Sequence, residues 1–240
     1  MALCAASWLL GCGITVRGQQ SAPVVLDRVV AVVNNHAILL SDVHDELRLS
    51  VLEPEATSGE SPTARAALDR LISRTMIQQQ IREEDAHAAE PSNDEVLARV
   101  QQLRKLLPAC VHMNCASDTG WNAFLTAHGI TAAEVQSYMR MRLEILGFIE
   151  NRFRQGIRIA PSEIEDYYKK TLIPQYPKGE TPPSLDSVAP RIEEILLQQQ
   201  VTALFVAWLE NLRKQGDVEV LDPAFLSASS PSTASAGGIH

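Results

Sequence analysis

Between about Asp186 and Lys214 the chain carries Ile192, Ile195, Leu196, Val201, Leu204, Phe205, Trp208 and Leu212, a spacing that predicts one long helix. Apolar side chains fall on more than one side of that helix, so it cannot stand in water alone. The rest of the chain must supply a surface that clamps it. Directly after it, the stretch DVEVL at 217–221 alternates as a short strand.

The other strand signal lies near the opposite end, in DRVVAVVNNHAILLSDVHDE at 27–46. Val29, Val30, Val32 and Val33 lead to Asn34-Asn35, residues that tolerate positive φ, and Ile38, Leu39 and Leu40 follow, a hairpin pattern. Ser41 is expected to cap the next helix, with Asp42, Asp45 and Glu46 suiting the positive end of its dipole. A Ser-His-Asp triad is the alternative reading of SDVHDE, but neighbours this close in sequence do not converge as a triad does.

Helices dominate the remainder. After EPEATSGESP one is predicted from about Pro62 to Asp85, with Leu68, Leu71, Ile72 and Met76 on one face. Ser92 to Glu95, Thr131 to Glu134 and Ser162 to Glu165 have capping-box spacing and mark three further helix starts. A helix around Trp121 to Ala127 stops at Gly129. The helix from about Ala132 to Arg154 carries two apolar stripes: Val135, Tyr138, Met139, Leu146, Ile149 and Phe153 on one side, Met141, Ile145 and Phe148 on another. The second stripe is either covered core or the lining of a groove. TLIPQYPKGETPPSLDS reads as a Pro-rich linker, and SASSPSTASAGGIH as a low-complexity tail. The fold class is therefore mainly α, with a small N-terminal β-hairpin and a closing C-terminal helix and short strand.

A net charge of -8 and a pI near 5.3 argue against a nucleic-acid groove, and aromatics at 5% leave few stacking platforms. Partners are expected to be proteins or neutral ligands. Residues 1–18, MALCAASWLLGCGITVRG, are apolar and too short to span a bilayer, and read as an export signal cleaved near Gly18. Leu9-Leu10-Gly11-Cys12 resembles a lipobox, so a lipid anchor at Cys12 is the alternative. Cys110 and Cys115 then remain as an isolated pair in an exported chain, which reads first as a disulfide. A zinc site on Cys110, His112 and Cys115 is the other option, but the spacing is not that of a zinc finger and no second ligand pair follows. The sequence has no phosphate loop, GxGxxG, GxSxG or HExxH, and no cofactor or metal is expected.

Several segments together resemble the SurA-type periplasmic chaperones of outer-membrane protein biogenesis: LDRVVAVVNNHAILLSDV, ALDRLISRTMIQQQI, GITAAEVQSYMRMRLEI, RIAPSEIEDYYKK, and the closing helix with its VEV strand. The resemblance covers about residues 24–222. It implies that the hairpin and the last strand belong to one module whose core the C-terminal helix completes. It also implies one or two parvulin-type prolyl isomerase domains between the Tyr167-Tyr168 segment and the closing helix. Here only KKTLIPQYPKGETPPS lies in that interval, so no isomerase residue can be carried over.

The expected organisation is an export signal at 1–18, a SurA N-terminal-like helical domain at 24–158, a helix and linker at 159–185, the closing helix and strand at 186–222, and a disordered tail at 223–240. The expected function is a periplasmic, non-enzymatic holdase for unfolded exported polypeptides, with Met141, Ile145 and Phe148 as candidate groove residues. An envelope assembly subunit that uses the same fold for one dedicated partner is the alternative.

Overall fold

The structure, a computed structural model, describes residues 27–53, 63–84, 90–110, 112–177 and 179–226. Strands β1 (Val29–Val33) and β2 (His36–Leu39) form the hairpin, with Val33 opposite His36 and Asn34 at φ 55°. Asparagine tolerates that left-handed backbone. Strand β3 (Val218–Val220) pairs antiparallel with β1, so the sheet order is β2-β1-β3 and the hairpin holds the end of the chain. The turn residue itself makes the clasp: the Asn34 N–H donates to the Asp217 carbonyl at 2.6 Å, and the Asp217 N–H donates to Asn34 Oδ1 at 2.9 Å.

Seven α-helices surround this sheet among the described residues: α1 (Leu40–Leu49), α2 (Ala64–Glu83), α3 (Asn93–Leu106), α4 (Asp118–Ala127), α5 (Ala132–Phe153), α6 (Pro161–Tyr167) and α7 (Leu185–Gln215). The capping boxes at Ser92/Glu95 and Thr131/Glu134 open α3 and α5. Gly129, at φ 60°, follows α4. Two caps differ from expectation. Helix α1 starts one residue before Ser41, because Asp42 reaches back to accept the Leu39 N–H at 2.8 Å, while the Ser41 hydroxyl donates to Asp27. Helix α6 starts at Pro161, whose fixed φ suits the first helical position, and Glu163 accepts the Ala160 N–H at 2.7 Å in place of the expected Ser162/Glu165 box.

Three apolar clusters hold these elements. The first joins Leu52 to α3, α4 and the N-terminal half of α5 through Val96, Val100, Leu103, Phe124, Val135, Tyr138 and Met139. Cys110 and Cys115 are buried in it and joined by a disulfide. Arg104, also buried, donates to the carbonyls of Cys115 (2.7 Å) and Ala116 (3.2 Å) and pairs with Asp118 (2.8 Å). These contacts satisfy backbone acceptors that the turn cannot satisfy itself. A Cβ at Gly120 would lie 2.0 Å from the Met113 carbonyl, so glycine lets α4 press against the disulfide loop.

The second cluster packs the sheet on α1 and α2, and the third is the seam between α2, α5 and α7. Phe225 is buried in the second cluster and Pro223–Phe225 forms a short turn capped by Asp222, so these residues do not belong to the disordered tail expected from residue 223. Residues 227–240 and the expected signal with Cys12 lie outside the described residues. The closing helix packs against α6, α5 and α2, but only Ile192 and Val201 along it are fully buried.

Candidate binding groove

Helices α2, α5 and α7 do not close completely on one another. Between them lies a cavity of about 510 Å³. Helix α2 contributes Asp69, Arg70, Ser73, Arg74 and Ile77, α5 contributes Met141, Arg142, Ile145 and Leu146, and α7 contributes Phe205, Leu209 and Arg213. Each set advances by three or four residues per turn, so each helix presents one continuous stripe.

The apolar part of the lining grades into the seam. Ile77 and the neighbouring Ile81 are buried with Phe148, while Ile145, Phe205, Trp208 and Leu209 pack half-buried around them. Trp208 is the hub, with ring centroids 5.8 Å from Phe148, 5.7 Å from Phe153 and 6.0 Å from Phe205, and the Arg152 guanidinium stands 5.2 Å over its ring. Such contacts fix the floor while leaving its upper edge in water. Leu146 at that edge is 47% exposed, as are Leu204 and Val206 along α7.

The polar rim is built from arginines. Glu46 of α1, only 2% exposed, accepts from Arg70 at 2.9 Å and from both terminal nitrogens of Arg74 at 2.7 and 3.0 Å. A buried carboxylate is tolerable because two guanidiniums hold it. On the opposite side Arg142 donates to Glu53 at 2.8 Å, and the Tyr138 hydroxyl donates to the same oxygen at 3.0 Å. Burial, followed by the charges of Glu53 and Glu46, pushes the Tyr138 phenol above its ordinary value, which keeps it a neutral donor. Arg213 reaches from α7 to the Asp69 carbonyl (3.0 Å) and the Ser73 hydroxyl.

The three residues predicted for a groove divide. Met141 and Ile145 line the cavity; Phe148 does not, being 3% exposed in the seam beneath and packed against Trp208. Leu146, assigned from sequence to the other stripe, lines the cavity instead. The arginines carried no sequence signal as a group, since they come from three helices. The disulfide commits both cysteine sulfurs to each other, so the zinc alternative has no free thiolates. Among the described residues there is no group of three or more His, Cys, Asp or Glu that could hold a metal ion, and no helix is long and apolar enough to cross a membrane.

No family model matches the chain. Over 196 residues it is 26% identical to the chaperone SurA of Saccharophagus degradans, an alignment that covers 77% of this chain and 43% of that protein. The sequence is thus SurA-like, and it spans less than half the length of the chaperone it matches.

Proposed function

We propose that this protein is a periplasmic chaperone that holds unfolded exported polypeptides, with the cavity between α2, α5 and α7 as its client site. The observation that carries the reading is an open apolar trough floored by Ile77, Ile145, Phe205 and Leu209 and edged by Met141 and Leu146, in a chain similar to a SurA chaperone. Apolar contact of this kind makes weak demands on client sequence, and the methionine adapts to differing shapes. An exported, oxidising location fits the apolar segment at 1–18 and the Cys110–Cys115 disulfide. Isomerase activity is not part of the proposal. Residues 168–184 span the interval from α6 to α7, and the Tyr168 hydroxyl ties its two ends by donating to the Pro183 carbonyl at 2.6 Å.

Light scattering of several unrelated denatured proteins, a β-barrel protein among them, tests the holding function. The intact protein is expected to suppress aggregation of most of them, and Leu146→Asp, at an exposed position of the trough, is expected to weaken that suppression with little change in melting temperature. Suppression confined to one client would favour an assembly subunit with a dedicated partner. Acceleration in a prolyl cis/trans assay would overturn the non-enzymatic part.

A further inference from the structure

The charges around the cavity do not cancel. Glu46 stands between two guanidiniums, Arg70 and Arg74, which leaves one positive charge over. Arg142 is balanced by Glu53, and Asp69 is balanced by Arg65. Among the described residues Arg213 is bound by neutral acceptors, the Asp69 carbonyl and the Ser73 hydroxyl, and no carboxylate there pairs with it. Two surplus positive charges therefore flank an apolar trough in a chain whose net charge is -8. Donors are in surplus as well. Arg70 Nη2 is buried without a hydrogen-bond partner among the described residues, and Arg142 and Arg213 each engage only one terminal nitrogen there.

From this complementarity we infer that the groove selects apolar segments that carry an aspartate or glutamate side chain, an inference that rests on the groove being the client site. The apolar residues would lie over Ile77, Ile145, Phe205 and Leu209. The carboxylate would meet the α2–α7 rim, where Arg213 and the Arg70/Arg74 pair present unspent charge. A guanidinium already anchored on one side, as Arg213 is by the Asp69 carbonyl and the Ser73 hydroxyl, favours a carboxylate over a neutral amide, because its charge-assisted bond forms with little further ordering. A lysine at the same position would meet like charge.

Fluorescence anisotropy with the full chain tests the inference. The probes are apolar ten-residue peptides, acetylated and amidated, that differ at one central residue: Glu, Gln or Lys. The Glu peptide is expected to bind about tenfold more tightly than the Gln peptide at low salt, with Lys the weakest, and the ratio should shrink as salt is raised. Arg213→Gln should bring the Glu-to-Gln ratio close to one, while Arg213→Lys, which keeps the charge, should preserve most of it. Equal binding of the three peptides would overturn the charge selection and leave the client site standing. Absence of binding by any peptide would overturn both. A Gln peptide with a free C-terminal carboxylate that binds as tightly as the Glu peptide would move the anion to the chain end and overturn the side-chain assignment.

Discussion

Helix α5 takes part in two unlike environments. Its first half places Val135, Tyr138 and Met139 in the cluster around Phe124, where side chains from α3, α4 and α5 interlock behind a disulfide. Its second half buries Phe148 alone, in a seam where Phe205, Trp208 and Leu209 of α7 stay half-exposed and a cavity opens beside them. One regular helix thus runs from a dense core into an open trough. The difference comes from what opposes it: two short helices and a cross-linked turn on one side, one long helix lying across the surface on the other. A dense core tolerates no vacancy, whereas the seam keeps apolar surface accessible at some cost in stability.

The strongest way to break this comparison is to remove α7. Truncation before Asp186 deletes the α7 side of the seam, strand β3 and Phe225, so the sheet cluster loses Leu212, Val218, Val220 and Phe225 together. Aggregation or loss of a cooperative thermal transition is the expected outcome, by circular dichroism and size-exclusion chromatography. A truncated chain with an unchanged melt would show that α7 is an accessory and the seam no part of the core.

Paired truncations of one side chain type sharpen the contrast. Phe124→Ala, at a site with no exposure, should cost about 3–5 kcal/mol in chemical denaturation, because the cross-linked surroundings cannot collapse into the hole. Phe205→Ala, half-exposed at the trough, should cost only about 1 kcal/mol yet reduce client holding measurably. Equal losses of stability would mean that the seam is as tightly built as the core. Reduction of the Cys110–Cys115 bond falls between these, at about 2 kcal/mol for so short a loop, and should leave client holding at the trough intact.

How far the sequence revealed each region follows the same division. In the dense half the signals are local: Ser92 with Glu95, Thr131 with Glu134, Gly129 and the closely spaced cysteines each act within a few residues, and the structure has them in the expected places. The helix starts near Ser41 and Ser162 differ from expectation because an acid at the third helical position, Asp42 or Glu163, can hold a helix start even when the capping residue is Leu39 or Ala160. The seam was less legible. Successive helical residues point about 100° apart, so the path of α7 decides that Phe148 is covered while Leu146 remains open, and that path is a tertiary property. Arg74 and Arg213, far apart in the sequence, both line the trough, and no local pattern reports that they share it.

The smallest expected effect concerns acid. The hydrogen bond from Arg48, then those from the Thr131 hydroxyl and N–H, hold the Glu134 carboxyl down at about 2, below its ordinary value of 4.5. Arg48 comes from α1 and also donates to the Gly129 carbonyl at 2.7 Å, so this contact fastens the start of α5 to the hairpin side of the molecule. A depressed carboxylate stabilises the fold fully above the unfolded value, and the contribution disappears as the group is protonated. The loss should run from about pH 4.5 downward through pH 2. Because the pair faces solvent, the increment is small and should weaken in salt. Thermal melts of the parent and of Glu134→Gln, recorded from pH 6 to pH 2, provide the measurement. The parent should be the more stable at pH 6, and the two curves should converge across the acid range. Parallel curves would show that the Arg48 contact adds nothing to the fold, and that the dense half is held by its apolar packing and disulfide without help from this ion pair.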